Sequence, residues 1–314
     1  METRHVGASG LRVSEIGLGS WLTYGASVEN DTAHQCIRTA LEEGVIFFDT
    51  ADVYSRGRAE EVLGNAFSGL RRQDLVFATK AYFPMSANPN DRGLSRKHLF
   101  ESIHQSLRRL RTDYVDLYQC HRFDPETPVS EVVRAMDDLA RQGKILYWGT
   151  SHWTVAQIQE ALECADAIGA QRPISNQPPY NMLDRRIEEE ILPFCKKAGI
   201  GQLVFSPLAE GILTGKYSKG IPAESRGAKE QIGQFLRPHL TPENLRRVER
   251  IARIAADAGM SLTRLAVAWT LRDPGVSSAI VGASRPEQVR ENATASGVVL
   301  SPDLQQRIEQ ALAD

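Results

Sequence analysis

Short apolar runs alternate along this chain with longer segments whose apolar positions recur at helical spacing. The runs are GLGS (17–20), VIFF (45–48), LVFAT (75–79), YVDLYQC (114–120), ILYWG (145–149), PISNQ (173–177), GQLVFS (201–206) and SSAIVGA (277–283). Most are the short apolar stretches of strands buried on both faces. Between them the period lengthens. Over 31–43, Ala33, Cys36, Ile37, Ala40 and Leu41 share one helical face, with Asp31 placed as a cap and Gly44 as a stop. Further helices are predicted over 59–67, 95–110 (opened by Ser95), 131–142, 154–167, 186–198, 242–258, 261–272, 286–295 and 302–312.

Strands that each lead into a helix imply parallel pairing with right-handed crossovers. No Pro/Ser-rich linker and no internal repeat divides them. The prediction is an α/β fold, a (β/α)8 TIM barrel in one domain over 1–314 with extra C-terminal helices. The rival is an open dinucleotide-binding sheet, which needs G-x-G-x-x-G after its first strand. Here GLGSWL lacks the third glycine and enters no immediate helix. VGASGLRVS (6–14) reads as a hairpin turning at Ser9-Gly10, placed to plug the N-terminal face.

The 314 residues are 42% hydrophobic, enough for a large core. A net charge of −2 gives no basic excess for nucleic acid. No apolar stretch nears the roughly 20 residues that cross a bilayer. The N-terminal segment has no basic stretch followed by an apolar run, so a cytoplasmic protein is expected. Cys36, Cys120, Cys164 and Cys195 are scattered, which predicts free thiols and no metal site.

In such barrels the chemistry stands at the C-terminal ends of the strands. VIFF runs into Asp49 and, five residues on, Tyr54; LVFAT runs into Lys80; YVDLYQC runs into His121. Singly, each has an ordinary role: a cap, a surface strand end, a structural histidine, a ring over an apolar edge. Together they suit carbonyl reduction. Hydride added to a carbonyl carbon leaves an alkoxide that needs a proton. A tyrosine can supply it, although its ordinary pKa is about 10. A neighbouring ammonium is expected to draw that value down, an aspartate to hold the ammonium, and a histidine to orient the carbonyl oxygen. Asp49 and Asp52 could instead pair as glycosidase carboxylates, but their loop spacing sets no such separation.

With those residues in place, the chain resembles the aldo-keto reductase superfamily. FFDTADVYSRGRAEEVLG, GLSRKHLFESIHQSLRRL, DYVDLYQCH, GKILYWGTSHW, SPLAEGILTGKY and GASRPEQVREN carry the likeness over nearly the whole length. The finer likeness is to the potassium-channel beta-subunit-like branch and the bacterial glyceraldehyde-phosphate and methylglyoxal reductases near it. The resemblance implies an NADP-dependent oxidoreductase acting on CH–OH donors. Its catalytic tetrad would be Asp49, Tyr54, Lys80 and His121, with Tyr54 as general acid. Animal channel beta subunits commonly carry asparagine at the histidine position, so His121 favours an active reductase.

The resemblance also implies NADPH/NADP+ lying across the barrel mouth. Ser20, Trp21 and Asp49 would meet the nicotinamide end, Ser151 and Gln177 its carboxamide, and Phe205 its ring. Ser206, Pro207, Leu208 and Gly211 would line the pyrophosphate, with Lys216 and Arg226. Gly282, Ser284, Arg285, Gln288, Glu291 and Asn292 would hold the adenosine end. Arg285 precedes a helix, where backbone N–H groups already favour an anion, so a 2′-phosphate and hence NADPH is favoured over NADH. The long loop 211–239 is expected to act as a lid. Trp21, Tyr54, Tyr82, His121 and Trp153 are candidates to touch a small carbonyl substrate. Phe83, Arg122 and His152 stand nearby, the latter two suited to a phosphate or carboxylate. Neither a nucleic-acid partner nor membrane insertion is expected, and self-association stays open. The rival function is an NADPH-sensing regulatory subunit with slow turnover.

Overall fold

In the computed structural model the eight predicted strands close into a parallel barrel. The structure describes the chain apart from residues 22, 26, 27, 219, 223, 224, 229–232, 235 and 314, and the side chain of residue 226. A hairpin of Thr3–His5 (β1) and Arg12–Ser14 (β2) comes first. The barrel strands are Ile16–Gly19 (β3), Phe47–Asp49 (β4), Val76–Ala81 (β5), Val115–Cys120 (β6), Ile145–Ser151 (β7), Ser175–Gln177 (β8), Gly201–Phe205 (β9) and Val276–Val281 (β10). They follow one another round the ring, and β10 closes it on β3. Outside lie Asn30–Glu42 (α1), Arg58–Ala66 (α2), Arg96–Leu110 (α3), Val129–Arg141 (α4), Val155–Ile168 (α5), Ile191–Ala198 (α6), Pro242–Asp257 (α7), Leu262–Thr270 (α8), Pro286–Ala293 (α9) and Pro302–Ala313 (α10).

Strand alternation sorts the side chains. Phe47, Val76, Ala78, Leu117, Leu203 and Ile280 form the barrel interior, while Phe48, Phe77, Tyr118 and Val204 pack outward under the helices. Each large apolar side chain buried this way contributes about 1.5–3 kcal/mol. Val6 and Val13 of the hairpin join the interior group and stop the lower end, as the sequence predicts. Gly7 makes this fit possible: it has φ +57° and a Cβ there would lie 2.1 Å from the Gly199 carbonyl oxygen. Arg4 ties the plug to the strands, pairing with Glu15 at 2.7 Å and donating to the Val276 carbonyl.

Three boundaries differ from the sequence reading. Helix α1 begins after Glu29, which makes no side-chain cap bond, and Asp31 sits inside the first turn instead of capping it. The helix expected over 186–198 is a 3-10 turn, Arg186–Glu188, followed by α6. Pro193 explains the break, because its ring excludes a helical carbonyl four residues earlier. Strand β8 lacks residues 173 and 174 of its predicted run, since Pro173 has no N–H for the ladder.

The loop from β4 to α2 carries Tyr54 and is fixed from behind. The Asp52 N–H donates to the Lys80 carbonyl (3.1 Å), and Ser102 Oγ donates to Asp52 Oδ2 (2.8 Å). Asp52 is 1% exposed, and its Oδ1 has no hydrogen-bond partner among the described residues. Glu60, fully buried, takes the Thr79 hydroxyl and the Arg109 guanidinium, both at 2.6 Å. Burial first, and the nearby Glu60 charge second, push Asp52 up to about 7. A carboxyl raised in the folded state binds its proton more tightly there than in the unfolded chain. Its stabilising proton is present at low pH and lost as pH rises from about 4 to about 7. Asp52→Asn should therefore leave stability near pH 4 little changed and raise it at pH 8 by about 2–4 kcal/mol. Denaturant unfolding at both pH values checks this, and parallel pH dependence in both proteins would refute it.

Candidate active site

The upper interior layer is polar. Asp49 ends β4, Lys80 is the fifth residue of β5, Gln119 the fifth of β6, and Gln177 ends β8. Each follows an inward apolar or small residue two positions earlier, so the period of two that fills the core also delivers these groups to the mouth. Lys80 is fully buried and donates to Asp49 Oδ1 (2.5 Å) and the Thr50 carbonyl (2.7 Å). Asp49 Oδ2 accepts from Gln177 Nε2 (2.9 Å) and Gln119 Nε2 (3.4 Å). The pair is thus neutralised and hydrogen-bonded on both carboxylate oxygens, which is what a buried ion pair requires.

His121 follows β6 and is 6% exposed. The half-buried Tyr54 ring stands edge-on to it with centroids 5.7 Å apart. Lys80 Nζ lies 5.2 Å from the centre of the Tyr54 ring. The four expected catalytic side chains therefore meet at one mouth. Their electrostatics differ from the sequence expectation in one respect. Burial, then the Asp49 charge, hold Tyr54 well above its ordinary value, although Arg122 opposes them. Lys80 donates to Asp49 and Thr50, and at the phenol burial and the Asp49 charge outweigh the nearby cations. Burial and the Lys80 and Arg122 charges hold His121 well below the usual imidazole value, so it is neutral. Its Nδ1 is buried without a hydrogen-bond partner among the described residues. The tautomer with the proton on Nε2 leaves only an acceptor buried there.

The remaining expected contacts divide. Ser20 Oγ donates to Thr50 Oγ1 (2.8 Å) and Ser151 Oγ to the Gln177 carbonyl (2.8 Å), so both hydroxyls brace the mouth. Phe205 ends β9 half-buried, 5.3 Å from the His152 ring. Tyr82 packs edge-on against Phe83, and Phe83 against His121. Trp153 does not reach the open mouth: it is 2% exposed in the outer core against Phe123. Burial, then Arg122, depress His152 to about 4, so it offers no cation for a phosphate or carboxylate. Ser284 and Arg285 are exposed at the start of α9, with Ser284 bonded to Gln288 Oε1. Arg290, one turn on, faces Glu43, while Asn292 is buried. Ser206 Oγ is taken by Glu210 (2.5 Å). The expected Arg226 side chain and residues 219, 223, 224, 229–232 and 235 of the expected 211–239 lid lie outside the described residues.

Sequence reasoning passed over Gln119 and the Asp52–Ser102 bond. Gln119 was legible as a polar residue two before His121 in an apolar strand, hence on the same face. Backbone strain also marks this end. Among the described non-glycine residues with φ in the left-handed region, Ser55, Arg56, His152, Ser206, Ala209 and Glu210 all lie in loops at the mouth; Arg111 alone ends a helix. Such conformations cost of order 1 kcal/mol or more each and persist where the surroundings impose them.

The aldo/keto reductase family model matches residues 15–313. A protein of Oryza sativa subsp. japonica described as a probable voltage-gated potassium channel subunit beta is 44% identical over 315 residues, covering 98% of this chain and 96% of that one. One of Arabidopsis thaliana with the same description is 44% identical over 318 residues, covering 99% and 97%. A putative channel subunit beta of Schizosaccharomyces pombe is 41% identical over 319 residues, covering 98% and 92%. By a match that runs over nearly its whole length, the chain belongs to the aldo/keto reductase family.

Proposed function

We propose that this protein reduces an aldehyde or ketone carbonyl to an alcohol, with NADPH as hydride donor and Tyr54 as the acid. One observation carries the reading: Tyr54 and His121 stand together over a buried, neutralised Lys80–Asp49 pair. NADPH, when bound, supplies hydride to the carbonyl carbon. Tyr54 gives its proton to the oxygen as negative charge develops there. A phenol held above its ordinary value carries that proton throughout the neutral range, and an alkoxide is basic enough to take it. The phenolate left behind faces the Lys80 ammonium across 5.2 Å of ring. Neutral His121 donates from Nε2 to the carbonyl oxygen and sets its direction.

The residues present fit the cofactor. Ala209, Glu210 and Gly211 take left-handed φ values of 47°, 56° and 95° in succession, turning the backbone after β9 into a tight loop. The first N–H groups of α9 and the exposed Arg285 offer a second anion site beside β10. Ser206, Pro207, Leu208, Gly211 and Lys216 would hold the pyrophosphate, and Ser284, Arg285, Gln288 and Asn292 the adenosine phosphate end.

The names of the relatives favour a second reading, a nicotinamide-bound subunit that docks on a channel. No helix among the described residues is long and apolar enough to cross a membrane. Absence of turnover with a panel of aldehydes, alongside tight NADPH binding, would support it.

Tyr54→Phe should lower kcat/KM for aldehyde reduction by about 10²–10⁴-fold while NADPH affinity, read by fluorescence titration, changes less than about twofold; full retained turnover would refute the acid role. Arg285→Ala should weaken NADPH binding by about tenfold or more and NADH binding far less, because a charge-assisted bidentate contact is lost only with the 2′-phosphate. Equal weakening of both would remove Arg285 from that site.

A further inference from the structure

Arg122 follows His121 at the end of β6, half-buried, and no carboxylate answers its charge among the described residues. The other half-buried arginines are accounted for. Arg4, Arg72, Arg109, Arg185, Arg247, Arg272 and Arg307 pair with acids. Arg250 and Arg264 donate to carbonyls at or beyond helix ends. Arg122 gives one terminal nitrogen to the His121 carbonyl at 2.6 Å. Its Nε and second terminal nitrogen make no bond among the described residues, which leaves one side of the guanidinium fork open.

That fork stands over the Phe83 ring, 5.4 Å from its centre, and Phe83 in turn packs on His121 at 4.9 Å. Its charge is felt at Tyr54, Lys80, His121 and His152. Lys80 is paired with Asp49 and Arg186 with Asp184, and both histidines are neutral. Among the described residues Arg122 is therefore the cation beside the reacting groups that no carboxylate pairs. It does not belong with the expected cofactor phosphates: β6 lies four strands from β10 in either direction round the ring. A partly desolvated guanidinium is costly unless an anion completes it.

We propose that Arg122 anchors a carboxylate on the substrate, so that the preferred carbonyl compound is a small oxo- or aldehydo-carboxylic acid. The open side of the fork matches two carboxylate oxygens, beside the Phe83 ring and the Tyr82 ring packed edge-on against it. The proposal rests on the reductase reading above. 4-Carboxybenzaldehyde and 4-nitrobenzaldehyde share a shape and differ by one charge. Arg122→Met and Arg122→Gln should each lower the ratio of kcat/KM for the carboxylated over the nitro compound by about tenfold or more, mainly through KM. Arg122→Lys should recover part of it. Benzoate should bind wild type, by calorimetry, and not the Met or Gln variants. An unchanged ratio, with both aldehydes still reduced, overturns the proposal and leaves the reductase reading standing. If wild type reduces neither aldehyde, the reductase reading fails. Arg122-dependent benzoate binding then upholds the anion site, and its absence overturns that as well.

Discussion

A lysine with no exposure to water can end a barrel strand only where an anion meets it. Lys80 has that anion in Asp49, and the carboxylate is held in turn by Gln119 and Gln177 from two further strands. Removing either charge would leave the other buried and alone, a loss of about 3–5 kcal/mol for pairs of this kind. The upper layer of the barrel is therefore a closed polar unit drawn from β4, β5, β6 and β8. The loop bearing Tyr54 hangs from the same unit, through the bond from the Asp52 N–H to the Lys80 carbonyl.

This closure decides the charges at the mouth. Tyr54 feels chiefly its own burial and the Asp49 carboxylate that Lys80 holds in place, and it keeps its proton. The imidazoles of His121 and His152 are kept neutral by burial and by the cations around them. Among the described residues, what remains is a protonated phenol, a neutral imidazole and the half-buried, carboxylate-free Arg122. In the proposed reduction that combination would deliver a proton without first lowering a pKa, and the proposed substrate would bring negative charge of its own.

Much of this was legible in the residue order. Asp49, Lys80 and His121 each stop or follow an apolar run, and a polar residue at that point has no ordinary reason to be buried. The barrel followed from strand runs alternating with helical periods. Boundaries were less legible where proline acted at a distance, as at Pro173 and Pro193. Gln119 was passed over, although its place two before His121 in an apolar run puts it on the same inward face. Trp153 looked like a mouth aromatic from its neighbours, but its packing against Phe123 depends on a contact 30 residues away in chain order. The direction of the Tyr54 shift could not be read at all, since it depends on where the Lys80 hydrogen bonds go.

In the free barrel Tyr54 remains a protonated phenol. Labelling tyrosine at Cζ and following its carbon resonance with pH, with Tyr54→Phe to assign the signal, measures this directly. The phenol shift should persist unchanged past the ordinary tyrosine value of about 10. A phenolate signal for residue 54 appearing in the neutral range would contradict it.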